Sequence, residues 1–310
     1  MPLKNPKKYR QLYKSFIVCF LLLIMLELIL RFGFGFGQIP VYYKSDSYEY
    51  AIKPDQQMVR FGNHYLINAQ GMRSAPLQSG EYRILKFGDS VLNGGLATDQ
   101  SELSSEILED QLRNVKQNIR VLNVSAGSWG PDNAFEWLIE HGDLEAKVIV
   151  LVFSSHDWQD QMEFQDVVGR ISFYPDSQPI LAITDAFQWI FSRYIESIAW
   201  NEIPHLKKTT KAPHNPGWDS FIAFAKQKNL PLIVYHHATL QEKQDAAWSA
   251  DGLALETYLR DRGVKIVNGL DTRWQASDYR DEIHPSATGQ EKIASALLPV
   301  LQQLISYEAR

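Results

Sequence analysis

The sequence predicts an α/β chain: a three-layer α/β/α sandwich on a parallel sheet of about five strands, preceded by an N-terminal transmembrane helix. Three observations predict it. Short β-rich runs alternate with longer helical segments from Tyr82 onward, residues suited to chemistry fall at the ends of those runs, and a basic cluster precedes a long apolar stretch near the N-terminus. With 310 residues, 45% hydrophobic and 22% charged, the chain can build one large domain with a full core.

Lys4, Lys7, Lys8, Arg10 and Lys14 precede an apolar run from Phe16 to Phe36 that is long enough to span a bilayer as a helix. The cluster contains no acidic residue, so positions 1–15 are expected in the cytoplasm, 16–37 in the membrane, and everything after Gln38 on the periplasmic or extracellular side. Glu27 and Arg31 interrupt the run four residues apart, Glu first. That is favourable helical pairing, and Arg31 can also snorkel to an interface. A cleaved signal peptide and a membrane-surface amphipathic helix are the rival readings; no small-x-small cleavage site follows the run, which favours an uncleaved anchor.

Positions 38–80 are polar and aromatic, with Tyr42, Tyr43, Tyr48 and Tyr50 and no helical period. They are expected to form a membrane-proximal connector with short strands that packs on the main domain, 81–310. Within that domain Tyr82 to Phe87, Ile119 to Val124, Val148 to Phe153, Leu232 to Tyr235 and Val264 to Val267 read as buried parallel strands. Pro131 and Gly142 bracket one helix, and Asn215 with Pro216 opens another. A last helix begins near Ala287. The stretch at about 158–213 fits neither period, and its Phe187, Trp189, Tyr194 and Trp200 suggest a partly helical insertion over the site.

The net charge of -5 leaves no basic footprint, so nucleic acid is not an expected partner. The single cysteine, Cys19, excludes an intrachain disulfide and a cysteine-based metal site.

The first strand of the main domain runs into Gly88-Asp89-Ser90, then Asn93-Gly94-Gly95. A serine on a tight turn past a strand can be an exposed nucleophile beside backbone N–H donors. Alone, the motif fits a turn with a helix cap better. Near the C-terminus, Asp281-Glu282-Ile283-His284 places a carboxylate three residues before a histidine, where it can fold back and orient the imidazole as a general base. The alternative is a surface loop whose histidine caps the final helix.

Together these blocks resemble the SGNH hydrolases, the GDSL-like esterase superfamily, over roughly Tyr82 to Leu301. Gly88-Asp89-Ser90 matches the nucleophile block, the segment Asn123 to Gly130 matches the second with Gly127 as its oxyanion-hole glycine, and Asp281 to His284 matches the last. The resemblance implies a flavodoxin-like sandwich and a Ser90, His284 and Asp281 triad, with Ser90 and Gly127 N–H groups in the oxyanion hole. The third block departs from the family's Gly-x-Asn-Asp: the chain reads Ser154-Ser155-His156-Asp157, with His156 where the asparagine is expected. A neutral imidazole can still donate one N–H to an oxyanion, so His156 is expected in that hole; a structural histidine at a strand end is the alternative.

Asn93, Trp129, Asp157 and Trp158 are further candidates for substrate contact, the tryptophans by stacking on a sugar face or else as core residues. His236 and His237 end the fourth strand, where hydrogen-bonded structural roles outweigh a pocket role. A zinc site from His156, Asp157 and one of that pair lacks any supporting spacing, so no metal or other cofactor is expected. The expected activity is hydrolysis, or transfer to an acceptor hydroxyl, of an acyl ester on an envelope carbohydrate or lipid. A non-catalytic SGNH-like domain that binds glycans or partners is the reading from another class.

Overall fold

A computed structural model of the chain describes residues 6–199, 203–206 and 211–308; Lys4 and Trp200 lie outside the described residues. Its centre is a parallel sheet of β5 (Tyr82–Gly88), β6 (Ile119–Ser125), β7 (Val148–Ser154), β8 (Leu232–His237) and β9 (Lys265–Asn268), in the order β6-β5-β7-β8-β9. Every residue of β7 is buried, as a central strand covered on both faces requires. Side chains alternate between the faces. Leu85, Phe87, Ile149, Leu151 and Val234 pack with α4 (Pro131–His141), α6 (Gly217–Lys228) and α8 (Ala250–Asp261). Ile84, Val121, Val150, Val152 and Ile233 face α3 (Ser104–Leu112) and α9 (Ala287–Glu308). Each fully buried Leu, Ile or Val on these faces contributes about 1.5–3 kcal/mol by leaving water.

The chain starts at β5, steps to one side for β6, then crosses back for β7, so the topological switch lies beside β5. In open α/β sheets that switch opens a crevice at the carboxyl ends of the strands.

The connector forms two antiparallel hairpins, β1 (Tyr42–Ser45) with β2 (Glu49–Ile52) and β3 (Gln56–Arg60) with β4 (Asn63–Ile67). Phe61 and Gly62, both at positive φ, form the two-residue turn of the second hairpin. The hairpins are not a loose spacer. Tyr48, Tyr50, Ile52, Met58, Tyr65 and Ile67 are buried in the same apolar cluster as Trp129 and Trp137.

At the N-terminus α1 (Pro6–Leu28) continues into a π turn, Ile29–Gly33. The apolar part, Tyr9–Gly33, is long and apolar enough to cross a membrane. The helix starts earlier than the expected span of 16–37 and ends sooner. It includes part of the basic segment and stops at Gly35 and Gly37, whose positive φ ends helical geometry. Glu27 and Arg31 pair at 2.6 Å, as their spacing predicts. In the 158–213 insertion the helical part is α5 (Ala182–Ala199), which lies against the end of α1.

Candidate active site

Between β5 and α2 (Ser90–Asn93) the backbone turns within one residue. The Asp89 carboxyl caps α2, Oδ1 accepting from the Val91 N–H at 2.8 Å, as the helix-cap reading of this motif expects. Gly88 is needed for closeness: a Cβ there would stand 2.6 Å from the Val152 carbonyl oxygen and 2.8 Å from the Leu92 Cβ. Ser90 therefore opens a short helix at the carboxyl edge, half-buried.

The Asp281–His284 loop, which follows β9, returns to this point. His284 Nε2 lies 2.9 Å from Ser90 Oγ, and Nδ1 lies 2.8 and 2.9 Å from the two Asp281 carboxylate oxygens. Burial alone would raise the Asp281 pKa. The His284 and Ile283 N–H groups and the His284 ring outweigh it and hold the carboxyl below its usual range. An ionised carboxylate only accepts, so Nδ1 carries the proton and Nε2 is left to accept from the serine hydroxyl.

His237 braces this loop from β8. Burial pushes its pKa down to about 4, so the ring is neutral, and Nε2 donates to the Ile283 carbonyl at 2.8 Å. Arg280 adds two ties, its backbone N–H to the His284 carbonyl at 2.8 Å and Nη2 to the Gly94 carbonyl at 3.2 Å.

His156 sits on a 3-10 turn, Ser155–Trp158, at the end of β7, the strand beside β5, with its ring half-exposed and Nε2 3.5 Å from Asp157 Oδ1. One ligand-type atom from each of Asp89, His156 and Asp157 lies within 4.8 Å of the others. Burial pushes Asp89 up to about 8, with the Asp157 charge adding to the rise, and burial raises Asp157 well above its ordinary value. These three could offer a cation one atom each. Both carboxyls already cap backbone N–H groups, of Val91 and Ser154, and both are held toward the neutral form. Asp89, and neither His236 nor His237, is the third neighbour of His156 and Asp157.

Gly127 lies in the turn after β6, and its carbonyl accepts from the Tyr50 hydroxyl at 2.9 Å. A Cβ at Gly127 would meet only the Tyr174 hydroxyl, at 3.9 Å, so packing does not demand glycine there.

The remaining candidates make the following contacts. Asn93 is buried, its amide donating to the Ser125 carbonyl at 3.1 Å and accepting from the Tyr65 hydroxyl at 3.2 Å. Asp157 is buried as a cap. Trp129, considered above as a sugar-stacking residue, is a core residue whose indole donates to the Tyr50 carbonyl at 2.9 Å. Trp158 has one face stacked on His214 at 4.5 Å. His236 is buried between Glu256, Ser155 and the stacked Trp248.

Sequence reasoning missed Arg73, a fully buried connector residue. Its guanidinium donates to the Asn93, Gly95 and Thr98 carbonyls and so clamps the turn that follows Ser90, with Tyr65 stacked below at 4.1 Å. Burial lowers its pKa to about 10, which leaves it charged at neutral pH. It sits in a segment without period or motif, so no sequence signal marks it. His237 was expected as a hydrogen-bonded structural histidine at a strand end, and it is hydrogen-bonded to the Ile283 carbonyl; which loop it braces was not readable.

No family model and no curated protein matches the chain. Among solved structures it is similar to TesA at 13% identity and a TM-score of 0.45, covering 72% of this chain and 99% of that one. It is similar to a lipolytic G-D-S-L family member from Veillonella parvula at 15% and 0.41, covering 71% and 97%. It is also similar to a carbohydrate acetylesterase family member from Sinorhizobium meliloti at 11% and 0.39, covering 73% and 99%. Likenesses this distant carry nothing about chemistry, which rests on the distances above. The strand order, with Ser90, Gly127 and His156 just past the carboxyl ends of β5, β6 and β7, makes this an open α/β fold whose candidate site lies at the carboxyl edge of the sheet.

Proposed function

We propose that the chain is a membrane-anchored serine esterase with Ser90 as nucleophile, His284 as general base and Asp281 as its orienting carboxylate. The observation that carries this reading is the unbroken chain of contacts from Asp281 through His284 to Ser90, each at 2.8 to 2.9 Å. His284 Nε2 takes the Ser90 proton as Oγ attacks an ester carbonyl, and Asp281 stabilises the imidazolium formed. The Ser90 and Gly127 N–H groups and the His156 ring hold the oxyanion. His284 then gives its proton to the departing alkoxide, leaving an acyl-Ser90 ester. Water, activated by the same histidine, releases the acid; an acceptor hydroxyl in its place makes the reaction a transfer.

The apolar helix Tyr9–Gly33 supports the anchor, and the basic residues before it support a cytoplasmic N-terminus with the sheet domain outside. That location favours an O-acetyl or similar ester on an envelope carbohydrate or lipid. The test is labelling of the detergent-solubilised full chain by a fluorophosphonate probe, with p-nitrophenyl acetate turnover alongside. Ser90-dependent labelling and turnover are expected. Their absence in a folded chain overturns the esterase reading and leaves a binding domain.

A further inference from the structure

Helix α5 carries an exposed apolar stripe that the core does not account for. Its inner residues, Ala182 and Ala186, are buried against Phe36 and Leu30 at the end of the α1 segment. Its outer residues Phe187, Ile190 and Phe191 are 58%, 57% and 40% exposed, and Ile180 just before the helix is 89% exposed. Spacing of three and four residues puts Phe187, Ile190 and Phe191 on one face. A contiguous apolar patch of this kind on a folded domain marks a contact surface.

What covers it is indicated by how the helix is held. The first N–H groups of α5, those of Ala182 and Ile183, donate to the two carboxylate oxygens of Glu27 at 2.9 and 3.0 Å. Arg31 closes the joint, donating to Glu27 at 2.6 Å and to the Ile180 carbonyl at 2.8 Å. The helix that would cross the membrane thus caps α5 with its own side chain. Phe36, Phe61 and Trp189 form an aromatic cluster at the same level, with centroids 5.3 to 6.0 Å apart. Aromatic residues concentrate where a helix leaves the bilayer.

Behind α5 is a groove of about 620 Å³. The connector walls it with Tyr42, Phe61 and Tyr65, α5 with Trp189, and the turn that begins at Ser90 with Leu96. The charged side chains in its lining are Arg60 and Asp185, and they are spent on each other, Nη1 to Oδ2 at 2.5 Å and Nη2 to Oδ1 at 3.2 Å. No net charge remains to select a phosphate or an ionised sugar, whereas apolar walls suit a hydrocarbon.

We propose that α5 lies in the membrane interface beside the end of α1, and that the groove it walls admits the hydrocarbon chain of a lipid-borne ester from that leaflet. This rests on the anchored-esterase reading above. Amphipathic helices with their apolar face among the acyl chains are held by that burial. A lipid entering over α5 would reach Asn93, Gly95 and Leu96, within a few residues of Ser90.

The test uses the full chain in lipid nanodiscs, with Cys19→Ser removing the native thiol. A fluorophore is attached at Leu22→Cys in α1, Ile190→Cys in α5 or Leu253→Cys on the exposed side of α8, and nitroxide-labelled phospholipid is the quencher. Quenching at 22 and 190 but not at 253 is expected. Quenching at 22 without quenching at 190 overturns the α5 assignment and leaves the anchor standing; no quenching at either removes the anchor reading and this proposal with it. In the same discs, a phospholipid with a diazirine-bearing acyl chain is expected to crosslink to 93–97 and to 172–192, and Leu96→Trp, which fills the groove, should abolish the crosslink at 93–97. Crosslinks confined to α1 in the unaltered chain, or unchanged by Leu96→Trp, overturn the groove assignment without reference to activity.

Discussion

The two histidines of the candidate site are held differently. His284 is held through both ring nitrogens, by Asp281 and Ser90, and its loop is tied down by His237 and Arg280. At the end of β7, His156 has a half-exposed ring with Nε2 3.5 Å from the Asp157 carboxyl. The difference teaches which half tolerates change. A base must be aimed within a few tenths of an ångström, whereas an oxyanion donor acts together with backbone N–H groups that do not depend on the side chain.

The largest effect is expected on the base side. His284→Ala should lower kcat for p-nitrophenyl acetate by about 10⁴-fold with the melting temperature unchanged, and Ser90→Ala should do the same. Asp281→Asn keeps the shape but removes the charge that fixes the tautomer, so a loss of about 10³-fold is expected. Steady-state rates on chains shown to be folded by circular dichroism check both; a modest loss on this side would erase the contrast.

His156 sharpens the comparison. His156→Ala should cost about 10²-fold in kcat with little change in KM, the loss of one of several oxyanion donors. His156→Asn should recover most of that, because an amide N–H can point at the same oxygen. If His156→Ala costs as much as His284→Ala, the histidine is no auxiliary donor, and if it costs nothing, it is structural.

Legibility in the sequence followed range. The sheet was readable because its strands are rich in apolar residues, most plainly β7, where Val148–Phe153 is an unbroken apolar run and every residue through Ser154 is buried. The Ser90 turn and the Asp281–His284 loop were readable because each is a short contiguous block. Contacts between distant segments were not. Arg73 is 20 residues from the carbonyl of Asn93 that it clamps, and Glu27 caps a helix that begins 155 residues later. Glu27 and Arg31 were legible as a pair within one helix, but nothing in their spacing announces that the pair also holds α5. Trp129 was ambiguous because a tryptophan beside a motif serves packing and stacking alike, and only its burial separates them.

The smallest expected effect concerns the buried carboxyls Asp89, next to Ser90 in the chain, and Asp157, next to His156, which lie close to each other. Asp89 is pushed up to about 8 in the folded chain from an ordinary 3.8, so between those values the folded state holds a proton that the unfolded state has released. The stabilisation this gives is complete below about pH 4 and is lost as pH rises through 8. Asp89→Asn keeps an oxygen to cap Val91 and removes the titration. Its melting temperature should match the parent's near pH 4, exceed it by a margin that widens as pH rises toward 9, and depend less on pH between. Activity should change little, because Asp89 shapes the turn rather than touching the reacting atoms. If instead the variant's melting curve tracks the parent at every pH, the Asp89 carboxyl titrates alike in the folded and unfolded chain, and burial does not hold it neutral.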